Sequence, residues 1–177
     1  MHKKSMSELD RLSSEAFKDI EKTPLVLILD NVRSALNVGS AFRTADAFAL
    51  DSIALCGISA QPPHREILKT ALGAEQSVDW LYFAETVDAV AHYKAKDFYI
   101  CSVEQADGSL MLQDFVWPEK GVCIIFGNEV DGVSDEVLKI SDACIEIPQF
   151  GTKHSLNISV SMGIVIWELF RKLKLRK

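Results

Sequence analysis

Residues 145–161 read IEIPQFGTKHSLNISVS, and this stretch joins a predicted strand to a predicted helix. The apolar strand ends at Ile147 and Pro148, and an apolar helix runs from about Leu156 toward Leu173. A strand-to-helix connection usually needs only about two to six ordinary residues. This loop instead carries lysine, histidine, serine and asparagine. The crowding of hydroxyl, amide and cationic groups therefore indicates a functional loop.

The rest of the chain alternates between apolar runs and helical patterns. The apolar runs are continuous, which is typical of parallel strands buried on both faces. The predicted strands are Leu25–Leu29, Ser52–Cys56, Phe98–Ser102, Val122–Phe126 and Cys144–Ile147. The predicted helices are Asn37–Phe48, His64–Leu72, Thr86–Lys94, Ser134–Ile140 and Ser155–Leu173. This alternation predicts an α/β fold with a doubly wound parallel sheet.

A length of 177 residues favours a single domain, 1–177, with a real core. We divide it into an N-terminal helical extension (1–23), a core (24–173) and an overlapping basic tail (171–177). Residues 7–21 have the apolar spacing of an amphipathic helix, and Ser7 with Asp10 resembles a capping box. We expect this helix to dock on the body or on a partner subunit.

The overall composition is ordinary for a soluble globular protein, with 48% apolar and 25% charged residues. No apolar run reaches the roughly 18 residues that argue for a membrane span. The N-terminus lacks the apolar stretch of a secretory signal. We therefore expect a cytoplasmic protein with no membrane partner.

The sequence offers no pattern of metal ligands. The four cysteines lie in apolar runs without a C-x-x-C pair, and the four histidines are scattered. We expect the cysteines to be buried thiols in a reducing compartment rather than metal ligands or disulfides. The predicted metal content is none.

The charge is unevenly distributed along the chain. The net charge is −6, yet five of the 19 basic residues lie within residues 171–177. This tail is suited to phosphate contacts. It is equally suited to a solvated helix end, where cations are favoured by the helix dipole. The acidic body argues against a non-specific coat of nucleic acid.

Ligands of open parallel sheets bind beyond the carboxyl ends of the strands, so we expect a site in the loops that follow the strands. The first loop follows Leu29. In it, Asn37 is a natural cap for the next helix. Gly39 is costly in a first helical turn unless a backbone or ligand comes close. Arg43 is either an exposed helix residue or a functional one.

The second loop follows Phe126 and begins with Gly127, which permits a tight turn with exposed backbone donors. Glu129 and Asp131 are free to contact hydroxyl groups. Ser134 is a plausible cap for the following helix, but capping does not explain the preceding Gly-Asn-Glu sequence.

The third loop is the stretch quoted first. Ser155 is the natural cap if the helix begins there. Asn157 would then lie in the first turn, where its side chain competes with the backbone. We therefore favour a functional role for Asn157.

These loops match no common nucleotide-binding or hydrolase signature. Together, however, they resemble the motifs of the SpoU (TrmH-like) branch of the SPOUT RNA methyltransferases. The first matching motif is N37-V-G-S-A-F-R43, the second is G127-N-E-V-D-G132, and the third is I147-P-Q-F-G151 followed by S155-L-N-I-S-V160. The likeness covers roughly residues 24–173, and the motifs occur in order, each behind a strand.

The resemblance implies a SPOUT α/β fold with a C-terminal trefoil knot. It implies a cofactor, S-adenosylmethionine, and a homodimer in which the knot regions face each other. By analogy with the family, the cofactor pocket is lined by Gly127, Ile147 and Leu156, and we add Ser102 and Gly132. The implied reaction is methylation of a ribose 2′-hydroxyl in RNA, with tRNA ahead of rRNA.

The resemblance also implies which residues serve catalysis. Arg43 would activate the ribose hydroxyl, and Asn37, Glu129, Ser155 and Asn157 would hold Arg43 and the ribose in register. Deprotonating an arginine at neutral pH would cost about 8 kcal/mol. We therefore expect Arg43 to grip a phosphate and orient the nucleophile.

We expect RNA contacts from short extensions and surface loops, since no separate N-terminal RNA-binding domain is recognisable. The candidates for this role are Arg65, Lys69, Arg171 and Lys172. Two other interpretations stay open: an RNA-binding knot protein without catalysis, and an unrelated α/β module that binds a small molecule. The complete set of catalytic candidates weighs against the first, and the acidic body is the best argument for the second.

Overall fold

The computed structural model describes residues 1–5, 7–9, 11–118 and 120–175, except for the side chain of Ser7. Within them the chain forms one seven-stranded sheet in the order β3-β2-β1-β6-β4-β7-β5. All of its strand pairs are parallel, which confirms the predicted α/β class. The strands are β1 Thr23–Asp30, β2 Leu50–Cys56, β3 Trp80–Phe83, β4 Tyr99–Val103, β5 Leu110–Met111, β6 Val122–Phe126 and β7 Ala143–Glu146.

Helices cover both faces of this sheet. They are α1 Ser14–Asp19, α2 Ala35–Ala47, α3 Arg65–Ala71, α4 Ala74–Ser77, α5 Thr86–Lys94, α6 Asp135–Ile140 and α7 Ile158–Lys174. Short 3-10 turns lie at Ser7–Leu9 and Leu112–Asp114. The helix α5 has the predicted bounds, whereas β3, β5 and α4 were not predicted.

The strand β1 connects two hydrophobic cores. Leu25, Leu27 and Leu29 pack into the core beneath α2, α3 and α7. Val26 and Ile28 pack into the core beneath α5 and α6. Successive side chains of a strand point to opposite faces, so a continuous apolar run fills both cores.

The predicted single helix over residues 7–21 is wrong. Ser13 caps α1 by accepting a hydrogen bond from the Ala16 amide at 3.2 Å, so a new helix starts in the middle of this stretch. Phe17 is the buried apolar side chain of α1. The proposed capping box depends on Asp10 and on the Ser7 side chain, which lie outside the described residues.

Gly39 lies where α2 and α3 touch. A Cβ atom at this position would overlap the Thr70 hydroxyl and the Ile67 carbonyl oxygen. The predicted close approach at Gly39 is therefore made by a neighbouring helix rather than by a ligand.

The strand register places the functional loops side by side. Phe126 at the end of β6 pairs with Leu29 of β1 and with Val103 of β4. Val103 in turn pairs with Ile145 of β7. Because all these strands are parallel, the loops that follow them leave from one edge of the sheet. Strand order does not specify how a chain threads, so the trefoil knot stays a prediction.

The described part of the chain has no helix that is long and apolar enough to cross a membrane. It also contains no cluster of three or more His, Cys, Asp or Glu side chains that could hold a metal ion. All four cysteines are free thiols, and only Cys144 is partly accessible. Burial raises the pKa of the Cys56 thiol to about 12, so this group stays protonated at neutral pH.

Candidate functional site

A cavity of about 610 Å³ lies at the carboxyl edge of the sheet. Its walls come from the loops after β4, β6 and β7 and from the start of α7. The lining residues are Val103, Glu104, Gln105, Phe126, Gly127, Asn128, Glu129, Val130, Asp131, Gly132, Glu146, Ile147, Gln149, His154, Ser155, Leu156, Asn157, Ile158 and Ser161. This volume is within the range of small-molecule sites.

The loop after β6 is a tight turn that Asn128 holds closed. The Asn128 side-chain oxygen accepts hydrogen bonds from the amides of Val130, at 2.8 Å, and Asp131, at 3.3 Å. The Asn128 and Gly132 backbones exchange two further hydrogen bonds. A Cβ atom on Gly127 would overlap the backbone of Gly132 and Val133. This crowding explains the glycine that begins the second motif.

Glu129 joins this turn to the start of α2. Its carboxylate accepts hydrogen bonds from the Arg33 amide at 2.9 Å, the Ser34 amide at 3.1 Å and the Asn37 side chain at 3.0 Å. Partial burial raises the pKa of Glu129, but the hydrogen bonds outweigh it, and the pKa lies below its ordinary value. The positive end of the α2 dipole also favours the anion here. Glu129 is therefore a held carboxylate at neutral pH.

Asn37 is not the cap of α2, contrary to the sequence-based expectation. The helix begins at Ala35, and the Ser34 hydroxyl accepts the Asn37 amide at 3.4 Å. Asn37 is nearly buried, and its side-chain amide is used to hold Glu129. The structure thus brings together two of the residues predicted to cooperate.

The expected roles of Ser155 and Asn157 are reversed. The helix α7 begins at Ile158, and Asn157 is its cap, accepting hydrogen bonds from the Ser159 amide at 2.9 Å and hydroxyl at 2.5 Å. Ser155 lies outside the helix and lines the cavity. The expectation that Asn157 is unhelpful to the helix is therefore wrong. Asn157 also lines the cavity, and the capping bonds do not use its side-chain NH2.

Arg43 lies outside the cavity wall, on the exposed side of α2 with Leu36, Ser40 and Ala47. Among the described residues it has no hydrogen-bond or ion-pair partner. Its Cα atom is about 9 Å further along the helix axis than that of Asn37. A free, exposed guanidinium can bind a phosphate from solvent.

Two predicted contacts are corrected by the structure. Ser102 is fully buried in β4, does not line the cavity, and shares a 2.7 Å hydrogen bond with the Ser141 hydroxyl. Lys172 is buried, and its Nζ donates hydrogen bonds to the carbonyl oxygens of Leu112, Gln113 and Phe115 at 3.1, 2.8 and 2.7 Å. Lys172 therefore secures the loop before β6 and is not available to RNA.

The other predicted RNA contacts remain accessible. Arg65 and Lys69 are exposed one helical turn apart on α3. Arg171 is half-exposed, but it makes a two-pronged ion pair with Glu168 at 2.8 and 2.9 Å. The final two cations of the basic tail, residues 176 and 177, lie outside the described residues.

Sequence reasoning missed Glu104 and Gln105, which follow β4 and line the cavity. The sequence predicts the strand Phe98–Ser102, but the polar residues that follow it belong to none of the motifs that carry the family resemblance. The available signal is their position directly after a parallel strand, where ligands of such sheets bind.

The cavity suits a ligand that has both a cationic group and a flat apolar ring. Glu104, Glu129, Asp131 and Glu146 supply negative charge at its wall. Ile147, Leu156 and Ile158 supply apolar surface. S-adenosylmethionine combines a sulfonium and an ammonium cation with an adenine ring, so these residues fit it.

A second groove, of about 770 Å³, lies along α7. It is mainly apolar, and Val160, Ile164 and Trp167 expose much of their side chains in it. It is lined by Leu112, Gln113, Ile147, Pro148, Ser159, Val160, Gly163, Ile164, Trp167, Glu168 and Arg171.

Comparison with known proteins places the chain among RNA-modifying enzymes. Residues 24–167 match the model of the SpoU rRNA Methylase family. The chain is 27% identical over 158 residues to a 23S rRNA (guanosine-2′-O-)-methyltransferase of Neisseria meningitidis, covering 89% of this chain and 62% of the relative. It is 29% identical over 153 residues to a tRNA (guanosine(18)-2′-O)-methyltransferase of Mus musculus, covering 84% of this chain and 9% of the relative.

A crystal structure of a related protein has the same fold. The crystal structure of an AdoMet-bound rRNA methyltransferase from Sinorhizobium meliloti superposes with a TM-score of 0.80 at 29% identity. The match covers 89% of this chain and 60% of that chain. The present chain thus spans less than two thirds of the length of each of these three relatives.

Proposed function

The chain belongs to the SpoU rRNA methylase family, and we propose that it transfers a methyl group from S-adenosylmethionine to a ribose 2′-hydroxyl of RNA, with tRNA the preferred class over rRNA. One observation carries this proposal. The Asn37–Glu129 contact fastens the loop after β1 to the wall of a cavity built from the loops after β4, β6 and β7. The three motif loops thus meet at one site.

Bound S-adenosylmethionine would supply an activated methyl group: as the ribose oxygen bonds to the methyl carbon, the C–S bond breaks to leave S-adenosylhomocysteine and the hydroxyl proton passes to water. The chain's own contribution is binding and orientation, which account for much of the barrier reduction in such displacements. Gly127, Gly132, Ile147 and Leu156 form the part of the wall assigned to the cofactor. The carboxylates near them favour its positive charge.

Arg43 orients the RNA in this proposal. Its unpaired guanidinium binds a phosphate next to the target ribose, so that the hydroxyl faces the cavity. Glu129, Ser155 and Asn157 border the space that the ribose would occupy, and Asn37 holds the Glu129 carboxylate in place. Readout of a 2′-hydroxyl restricts the substrate to RNA. Arg65 and Lys69 on α3 offer further phosphate contacts.

The enzyme acts as a homodimer in this proposal. The support is the apolar groove along α7, which leaves Trp167, Ile164 and Val160 exposed. Contiguous apolar surface of this kind usually marks an interaction site. A second copy of the chain is the occupant that the family resemblance implies, with the two knot regions facing each other.

Two measurements on the purified chain test the proposal. The first is calorimetry with S-adenosylhomocysteine, for which we expect a dissociation constant of about micromolar. G127A should abolish binding, because its Cβ meets backbone atoms. The matched control G151A should bind normally, since open space surrounds Gly151.

The second measurement is transfer of a labelled methyl group to bulk tRNA and to rRNA, each isolated from cells lacking this chain. A 2′-O-methyl group protects the neighbouring phosphodiester from alkali, so the label should appear in alkali-resistant dinucleotides. Label in the mononucleotides released by alkali would overturn the ribose assignment. Binding of S-adenosylhomocysteine without any transfer would favour an RNA-binding protein that lacks catalysis. In the calorimetry, no detectable binding of S-adenosylhomocysteine at millimolar concentration would favour an unrelated α/β module that binds another small molecule.

A further inference from the structure

We propose that Glu104 and Gln105, directly after β4, are positioning residues that set the distance between two loops of the cavity. Glu104 holds the turn after β6, and Gln105 holds the loop before α7. The inference rests on the proposed function, because it assigns these residues to the affinity for the methyl donor rather than to the chemical step.

The Glu104 side chain is tied to the turn after β6. Its Oε2 accepts a hydrogen bond from the Val133 amide at 3.1 Å. Its Oε1 accepts one from the Gln105 amide at 2.8 Å. A Cβ atom on Gly132 would overlap the Glu104 carboxylate, and Gly132 has a φ of +68°. Glycine at this position therefore both forms the turn and leaves space for the carboxylate.

The backbone of Glu104 is fixed to the sheet. Its amide donates to the Ile145 carbonyl oxygen of β7 at 3.1 Å. Its own carbonyl oxygen accepts a weak hydrogen bond from the Cys144 thiol at 3.4 Å. The carboxylate thus extends from a rigid strand end, and the turn that it holds is set relative to the sheet rather than floating with its loop.

Gln105 reaches the opposite wall. Its Nε2 donates a 2.7 Å hydrogen bond to the carbonyl oxygen of His154, in the loop between β7 and α7. That loop carries Ser155 and Leu156, which line the cavity. Two adjacent residues therefore hold two separate walls, and both walls border the same cavity.

Loss of either contact should let one wall move and weaken binding of the methyl donor. We expect E104A and Q105A each to bind S-adenosylhomocysteine about ten-fold more weakly than the parent chain. Q105E keeps the size of the side chain but replaces the donor by an oxygen facing the His154 carbonyl. It should bind at least as weakly as Q105A.

The test is calorimetry with S-adenosylhomocysteine at a temperature where circular dichroism shows every variant to be folded. The matched controls are E85A and Q61A, which remove exposed side chains away from the cavity and should bind like the parent chain. The KM for S-adenosylmethionine should rise about ten-fold, while the single-turnover rate at saturating donor stays within about two-fold. If the two residues only stabilised the fold, the variants would have a lower melting temperature, but the KM for S-adenosylmethionine would not rise while the single-turnover rate stayed constant.

Hydrogen exchange of the ligand-free chain provides a readout that does not depend on the proposed function. We expect faster exchange of the Val133 amide in E104A, and faster exchange in residues 149–157 in Q105E. If the parent chain fails to bind the ligand, the proposed function fails, and the exchange data alone decide whether the two residues hold the loops. Parent-like affinity in E104A and Q105E, with unchanged exchange, would overturn the inference.

Discussion

The side-chain amide of Asn37 donates a 3.0 Å hydrogen bond to the carboxylate of Glu129, which lies 92 residues further along the chain. The same carboxylate accepts two backbone amides that precede α2. One anion therefore connects the first motif to the second. Stability and function are linked at this point, because the contact that orders the loops also borders the cavity.

Replacing this carboxylate by its neutral isostere should weaken the connection. We expect E129Q to lower the free energy of unfolding by about 1 kcal/mol at pH 7, because hydrogen bonds to a charged acceptor are stronger than those to a neutral amide. Urea denaturation measures this difference. E85Q changes an exposed glutamate without a side-chain hydrogen bond and should stay within about 0.5 kcal/mol of the parent chain. Equal stability of E129Q and E85Q would contradict the assignment.

The stabilisation by Glu129 should depend on pH in one direction. The folded chain lowers the pKa of this carboxyl below its ordinary value of 4.5. The contribution is therefore present above about pH 4.5 and is lost as the pH falls through the lower folded value. Unfolding curves of the parent chain and E129Q from pH 7 to pH 3 should converge on acidification. A gap that widens below pH 4.5 would show that the sign is wrong.

The sequence predicted the central strands well because their apolar runs face two cores. The bounds of β6 are those predicted. The two edge strands, β3 and β5, are not predicted, and this has a physical reason. The strand β3 is only partly buried, and β5 has two residues, so neither needs a recognisable apolar run. Short strands of this kind are selected by pairing with a neighbour rather than by their own pattern.

Local spacing could not decide which residues cap the helices. Ser34 and Asn37 are both competent caps, as are Ser155 and Asn157, and each pair lies within three residues. The chain uses Ser34 and Asn157. Asn37 does not cap the helix because its side chain binds Glu129, which is distant in sequence. The hydrogen-bond partners of Lys172 are also distant in sequence. The basic residues around Lys172 predict an exposed side chain, and this prediction is wrong because those distant carbonyl groups bury it.

Lys172 should matter for stability rather than for RNA binding. Its Nζ satisfies three backbone carbonyl groups in residues 112–115. K172M keeps the apolar stem but leaves these acceptors unpaired, so we expect a loss of about 3 kcal/mol in unfolding free energy. K174M removes an exposed cation that makes a 3.8 Å ion pair and should cost less than about 1 kcal/mol. Similar losses in both variants, measured by chemical denaturation, would refute the buried anchor.

Gly39 should tolerate no side chain. In G39A the new Cβ meets both a hydroxyl and a backbone carbonyl of α3, so the two helices must separate. Overpacking of this kind costs about 1 to 3 kcal/mol, which would exceed the gain in helix propensity. The neighbouring S40A loses a single side-chain bond to the Leu36 carbonyl and should remain within about 0.5 kcal/mol. Thermal unfolding compares the two, and a stabilised G39A would disprove the close helix contact.

Replacing Arg43 should reduce methyl transfer without changing the affinity for the methyl donor. The residue does not line the cavity, so R43A should bind S-adenosylhomocysteine within about two-fold of the parent chain. Because its free guanidinium is assigned to the RNA phosphate, the same variant should lose at least about a hundred-fold in methyl transfer.

The conservative variant R43K tests the geometry of that contact. Lysine keeps the charge but cannot form the two-pronged hydrogen bond, so we expect a loss of about ten-fold, between those of the parent chain and R43A. K139A removes an exposed cation from α6, on the opposite face of the sheet, and should transfer at the parental rate. Transfer by R43A at the parental rate would eliminate Arg43 from the reaction. A parallel loss of S-adenosylhomocysteine affinity would instead mean that Arg43 shapes the cavity itself.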